Sequence, residues 1–309
     1  MTEEVLQRLQ ELELTPEALE KTRGYLRRRI EKILQPNEKV LICFPKEGNA
    51  SIGGMMEQVL RDCGCTPVYW GPDFRWMGLL RQAFESHVSA VIGPPLVVLG
   101  LMKMAKATAT PLNIHNAFLA GYPYSSWMIE GIKEGLDCKI WGCYWIGEGP
   151  VIAGFTCAKE AGIHIREDIF EASIRDTEGE LMEDSMRGYL TLRYRNDPRI
   201  VFDSQETAKM WHQPCSCGCD DARIVETIYI GVEDPNKAVL EDRFLAWTSI
   251  LDYRVTRDGD DVELELVVFP GGTLPQIHSC IKQTVRTWDP ENDVPFCVEK
   301  YIAESKKDQ

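Results

Sequence analysis

Between Lys39 and Trp145 the chain alternates short β-prone runs with amphipathic stretches, and this alternation constrains the fold more than any other feature. The runs KVLICFP (39–45), TPVYWG (66–71), VSAVIGPP (88–95), PLNIHNAFLA (111–120) and KIWGCYW (139–145) are brief and largely apolar. Between them, MMEQVLRDCG (55–64), DFRWMGLLRQAFESH (73–87), LVVLGLMKMAKA (96–107) and a segment from Ser125 or Ser126 to Gly135 have the period and length of helices. Successive strands joined through helices are parallel, and the helices cover the sheet. The expected fold is α/β, a mostly parallel sheet with flanking helices.

An earlier helix is signalled by Thr15 as N-cap and Pro16 in the first turn, with LEKTRGYLRRRIEKIL running to Gln35-Pro36-Asn37. The basic run Arg23 to Lys32 reads as the solvated face of that helix. The glycine-bearing loop Gly48 to Gly54 fits no phosphate-binding fingerprint and reads as a turn that lets strand and helix pack closely.

After His164 the composition changes. Charged, hairpin-like segments occupy 165–197, with Thr177 to Glu180 as a turn, and predict an antiparallel hairpin region beside the parallel sheet. Asp234-Pro235-Asn236 reads as a linker. Beyond it, 239–251 reads as helix, 252–270 as a hairpin turning at Asp258-Gly259, 274–288 as helix and 294–302 as strand. Residues 1–224 are thus expected to form a large domain and 225–309 a small α+β C-terminal domain, which a chain of 309 residues with 44% hydrophobic content can support.

The net charge of −14 opposes a nucleic-acid partner. No apolar stretch is long enough to span a membrane, and the acidic start is not a signal peptide, so a cytoplasmic protein with no membrane association is expected. A reducing compartment keeps the eleven cysteines as thiols. Cys43, Cys138, Cys280 and Cys297 read as packing residues in apolar surroundings, and Cys63 and Cys65 flank a glycine at a helix-to-strand turn.

The remaining thiols carry chemistry. Cys157 and His164 lie seven residues apart, and Cys215 and Cys217 sit in the run PCSCGC at 214–219. Three thiolates and one imidazole complete a tetrahedral zinc shell that is closed and therefore structural. Several thiols deprotonated side by side are costly without a cation, and zinc removes that cost. Cys219 and His212 are rival ligands. Ahead of this set, Glu148 stands just past the end of the strand 139–145, at the carboxyl edge where open α/β sheets bind ligands.

Taken in order, these residues resemble the phenylacetate–CoA ligase family of AMP-forming adenylating enzymes, from about Thr15 to about Asp234. The family's GAEP turn corresponds to Ala120-Gly121-Tyr122-Pro123, and its YGxSE turn to Tyr144-Trp145-Ile146-Gly147-Glu148. Gly149-Pro150, Cys157 with Gly162-Ile163-His164, Glu167-Asp168 and Pro214-Cys215-Ser216-Cys217-Gly218 follow in register. The resemblance implies that Glu148 coordinates Mg²⁺ on the phosphates of ATP, that Gly121 and Tyr122 border the adenine beside Tyr144, and that Glu206 takes the place of the ribose-binding aspartate. It also implies zinc on Cys157, His164, Cys215 and Cys217.

The implied reaction joins a small carboxylic acid to AMP and then transfers the acyl group to CoA or another acceptor. Trp145 and Tyr124 would line the pocket if the acid is an aryl acid, and a homodimer is an open assembly. The family's Ser/Thr/Gly-rich phosphate loop has no counterpart, Gly147 replaces its serine, Tyr122 its glutamate and Val232 an arginine, and Lys282, Lys300 and Lys306 lack a motif that would mark the catalytic lysine. The alternative reading is a non-catalytic ligand- or protein-binding homologue that keeps the fold and the zinc site.

Overall fold

A computed structural model describes residues 3–45, 48, 51–69, 75–120, 126–146, 151–157, 159, 162–228, 249–258, 261–269, 282–289 and 294–302. The chain opens with α1 (Glu3–Glu13), which the sequence reading passed over because its apolar stripe is thin; Leu9 is its one fully buried apolar residue. In α2 (Pro16–Ile30) the Thr15 hydroxyl accepts from the Ala18 amide and Pro16 occupies the first turn, so the helix begins where its cap predicts.

The predicted alternation follows as β1 (Lys39–Ile42), α3 (Ile52–Asp62), β2 (Thr66–Tyr69), α4 (Trp76–Glu85), β3 (Ala90–Gly93), α5 (Pro95–Ala107), β4 (Asn116–Ala120), α6 (Ser126–Leu136) and β5 (Lys139–Ile146). These five strands pair parallel in the order β2-β1-β3-β4-β5. Side chains alternate across them. Leu41, Cys43, Val91, Ala117 and Leu119 pack with residues of α4, α5 and α6, whereas Val40, Ile42, Ile92, Phe118, Cys143 and Trp145 pack with α2 and α3. A doubly covered parallel sheet results, which is why its strands are almost continuously apolar. At the start of α3, Ser51 accepts from the Gly54 amide, and a Cβ on Gly53 would collide with the Pro45 carbonyl oxygen. The glycine there permits close packing of strand and helix.

The antiparallel region does not stand beside this sheet but continues it. After β6 (Val151–Thr156) come β7 (Ile163–Ile165), β8 (Phe170–Arg175), β9 (Gly188–Tyr194), β10 (Val201–Trp211) and β11 (Arg223–Ile228), giving one eleven-stranded sheet in the order β2-β1-β3-β4-β5-β6-β7-β11-β10-β9-β8. Its antiparallel half has its own core, with Ile165, Phe170, Leu190, Leu192 and Ile224 around Leu9 of α1.

A second sheet contains β12 (Ile250–Asp258), β13 (Asp261–Val268), β14 (Lys282–Asp289) and β15 (Val294–Ile302), with β13 and β14 parallel. Two expectations are corrected here. Residues 282–288 form strand rather than the end of a helix, because pairing with β13 on one side and β15 on the other overrides a short ambiguous apolar pattern. The expected helix 239–251 likewise yields to strand from Ile250, while 239–248 lies outside the described residues. No helix among the described residues is long and apolar enough to cross a membrane.

The second sheet meets the first layer at α5, where Leu251 joins the core that contains Val98, Leu99 and Met102. Lys103 of α5 is buried there and donates from Nζ to the Ile250 carbonyl at 2.8 Å. Burial lowers its pKa from the usual 10.5 to about 8. The folded state therefore binds this proton more weakly than the unfolded state, and raising the pH from 8 to 10.5 removes a penalty on folding. Unfolding free energies of wild type and Lys103→Met should diverge over that range, wild type gaining on the order of 3 kcal/mol relative to the variant; parallel pH profiles in denaturant titrations would refute the assignment.

Candidate metal centre

Cys157 is the first residue after β6, His164 lies in the middle of β7, and Cys215 and Cys217 occupy the connection between β10 and β11. The sheet brings these segments together because β7 pairs with β6 on one side, Phe155 opposite His164, and with β11 on the other, Arg223 opposite His164. Just before β7, Gly162 has φ of +105°, and a Cβ on it would stand 2.5 Å from the Ile224 carbonyl oxygen and 2.7 Å from Val225 Cγ1. Only glycine permits both this backbone and this approach.

Four ligand atoms converge as a result. Those of Cys157, His164, Cys215 and Cys217 all lie within 4.8 Å of one another, with 3.3 Å between the sulfurs of Cys157 and Cys215 and 3.3 Å between Cys217 Sγ and His164 Nε2. A tetrahedral ion bonded to sulfur at about 2.3 Å places its ligands about 3.8 Å apart. The cluster therefore has the donor types and the dimensions to hold a divalent cation such as zinc.

The surroundings orient the ligands. His164 is fully buried, and its Nδ1 lies 2.9 Å from the Asp221 carbonyl oxygen. Since a carbonyl only accepts, Nδ1 carries the proton and Nε2 presents its lone pair to the cluster. Burial also lowers the pKa of this imidazole, which favours the neutral form that binds metal. The Lys159 amide donates to Cys157 Sγ at 3.2 Å. Burial pushes the Cys217 thiol up to about 11, a penalty on the thiolate that a nearby cation offsets.

Neither rival ligand joins the set. Cys219 receives a hydrogen bond from Arg29 Nη2 at 3.2 Å and lies 3.1 Å from Asp221 Oδ2, and His212 is exposed with Nδ1 2.7 Å from Asp184 Oδ1. Arg29 itself departs from the expectation of a solvated helix face, because that side of α2 rests on the turn holding Cys219 and Asp221. Tyr25 lies between two guanidinium groups, Arg29 at 5.1 Å and Arg166 at 5.0 Å from the ring centre. Arg166 is fully buried two residues after His164, donating to Thr22 Oγ1 at 2.8 Å and to both oxygens of Asp168. The sequence reading missed Arg166 and Asp221. Arginine and aspartate two residues apart in RED carried a weak signal for the first, and nothing local marked the carbonyl of Asp221.

The other predicted site residues are distributed differently. Gly121, Tyr122 and Glu148 lie outside the described residues, as do Tyr124 and Gly147. The strands leading to them are described. β4 ends at Ala120 and β5 at Ile146, the two are adjacent and parallel, and Ala120 is opposite Cys143. Tyr144 is buried in the core shared with Ile146 and Val151. Glu206 lies in β10, within a stretch where the pairing to β9 shifts register.

No protein-family model matches the sequence, and no curated protein matches it. Solved structures do resemble the chain. With 2-hydroxyisobutyryl-CoA ligase in the postadenylation state, in complex with R3-HIB-AMP, it shares 15% identity at a TM-score of 0.58, over 80% of this chain and 58% of that one. The same ligase with 2-HIB-AMP and CoA in the thioesterification state gives 14% identity and 0.57, over 81% and 58%. A point mutant of the amide bond synthetase McbA from Marinactinospora thermotolerans gives 14% and 0.51, over 82% and 57%. The chain thus spans 58% of the length of the first of these ligases and shares their fold. The likeness to the CoA ligase and to the amide bond synthetase is one of fold.

The contacts at Gly162 make a direct test of the join between β7 and β11. Gly162→Ala should lower the unfolding free energy by about 2 kcal/mol or more, measured in urea. A loss below about 1 kcal/mol would mean that β11 yields without cost.

Proposed function

We propose that the chain binds an acid activated as its acyl-adenylate, in the manner of AMP-forming acyl-CoA ligases, at the carboxyl ends of β4 and β5. One observation carries the reading: β4 and β5 are adjacent and parallel and end at Ala120 and Ile146, so the two motifs that include these residues, 120–123 and 144–148, belong to the same edge of the sheet. Open α/β sheets bind ligands at that edge. In this reading Gly121 and Tyr122 border the adenine near Tyr144, Glu206 accepts hydrogen bonds from the ribose hydroxyls, and Glu148 faces the phosphates. Bound Mg²⁺ would supply the positive charge that lets a carboxylate approach a polyphosphate.

The reaction of this class begins when a carboxylate oxygen of the acid attacks the α-phosphorus of ATP and pyrophosphate leaves. The thiol of CoA then loses its proton and attacks the acyl carbon, a thioester forms and AMP departs. The aryl or alkyl character of the acid is a matter of the pocket above β5, where Tyr124 belongs in this reading, whereas Trp145 is buried in the core with α2 and α3. A second reading, binding without turnover, is favoured by the substitutions at Tyr122 and Gly147, which remove groups that the ligase motifs carry.

The Cys157, His164, Cys215 and Cys217 set is proposed as a structural zinc site. Its support is the closed set of three thiols and one imidazole, which leaves no open coordination position for substrate. The large domain is proposed to run through β11 to Ile228, past the boundary expected at 224, and the second domain to contain β12 to β15.

Two measurements address these proposals. Calorimetric titration with AMP and with a non-hydrolysable acyl-adenylate should give saturable binding that weakens about tenfold in Glu148→Ala when Mg²⁺ and ATP are used; no binding of any of the three would sink the adenylate reading, and pyrophosphate release with a panel of acids separates turnover from binding alone. Elemental analysis of protein purified without added metal should find about one zinc per chain, lost in Cys215→Ser and His164→Ala but kept in Cys219→Ser and His212→Ala. Equal zinc content in all four variants would remove the assignment.

A further inference from the structure

At the opposite edge of the parallel sheet, the amino ends of β4 and β5 open into a cavity of about 660 Å³. Its size is within the range of small-molecule sites. Lys139 begins β5, Lys133 lies in the last turn of α6, and Lys32 follows α2, so three ammonium groups line this one space in a chain whose net charge is −14. The only carboxylate among the lining residues is that of Asp137.

Part of this positive charge answers the fold itself. The helices α2 and α6 both end here, and each helix C-terminus carries about half a negative charge. Two such ends and Asp137 together offset about two of the three lysines. Roughly one positive charge is left over, and none of the three lysines has an ion pair among the described contacts of the cavity. A solvated lysine face on this acidic surface would be interspersed with carboxylates; here a single one is present.

The floor of the cavity is specific as well. Trp141 is buried and its Nε1 donates to Asn116 Oδ1 at 2.9 Å. Indole N–H is a donor only, so this bond fixes the orientation of the amide and leaves the Asn116 N–H₂ group as the end able to donate into the cavity. His115 adds an imidazole beside it, while Ile33 and buried Cys138 supply apolar surface. The cavity thus combines positive charge, fixed neutral donors and an apolar wall.

We infer that this cavity is a binding site for a small phosphate monoester with an apolar body, the phosphate held by Lys32, Lys133 and Lys139 and the body against Ile33 and Trp141. Lysine binds phosphate as a point charge and needs no bidentate geometry. The site is on the other edge of the sheet from the proposed adenylate crevice and does not depend on that proposal.

The test uses the full chain in low-salt, phosphate-free buffer and phenyl phosphate as probe, read by isothermal titration calorimetry. Expected are saturable binding with one site per chain, at least tenfold weakening in Lys133→Gln/Lys139→Gln, and near wild-type binding in Lys133→Arg/Lys139→Arg. All these side chains are exposed, and the arginine pair separates charge from any effect on folding. Inorganic phosphate should compete weakly and phenol should not compete. The inference is overturned by absence of saturable binding, by glutamine variants that bind within twofold of wild type, or by competition from phenol equal to that from phosphate. Loss of binding in Glu148→Ala with retention in the glutamine pair would assign the probe to the adenylate crevice and overturn it too.

Discussion

The eleven-stranded sheet depends on a short join. Between β7 and β11 two residue pairs, Arg223 with His164 and Ile224 with Ile163, hold strands β8 to β11 to β6 and β7 and through them to the parallel strands. A ladder this brief contributes few backbone hydrogen bonds, each worth only about 0.5–1.5 kcal/mol net. The convergence of Cys157, His164, Cys215 and Cys217 at the same place supplies what the ladder lacks, since it draws the end of β6, the middle of β7 and the β10–β11 connection to one point. On the other side α2 braces the join through Tyr25 and its two arginines. The buried guanidinium of Arg166 is satisfied by Thr22 from the helix and Asp168 from the turn between β7 and β8, so it ties α2 to the sheet.

The two halves have different physical characters. The parallel half is covered on both faces and is held by apolar side chains that alternate along each strand. The antiparallel half uses polar contacts at long sequence distance to hold α1: Arg8 with Asp197 at 2.7 Å, and Glu13 accepting from the Tyr194 hydroxyl at 2.6 Å. Asp197 also binds Arg199, and the two arginines hold its carboxyl well below the usual carboxylate range. β4 and β5 belong to the half that is covered on both faces.

Much of the architecture was legible because it rests on local periodicity. The strand–helix alternation from Lys39 to Ile146, the Thr15 cap and the hairpin turn before Glu180 each have a short-range cause. What escaped was set by partners far along the chain. The strand at 282–288 is decided by β13 and β15. Arg29 looked solvated until the 215–221 turn was placed against it. The four thiol and imidazole donors were readable by type and order, whereas the exclusion of Cys219 was not, because it follows from an arginine 190 residues away. The orientation of His164 likewise depends on a main-chain carbonyl, which has no signature in sequence.

The join also dictates an order of assembly. Every element of the parallel half from β1 to β5 lies within one continuous stretch that ends at Ile146, so its core can close while later residues are still being made. The donors at Cys157 and His164 gain their partners only after Cys217 has been synthesised, and α1 has no seat until Tyr194 and Asp197 exist. The first helix of the chain is therefore among the last to settle. Contacts of such long range are slow to form, and α1 must wait, exposed, until the residues that receive it, Tyr194 and Asp197 among them, have been made.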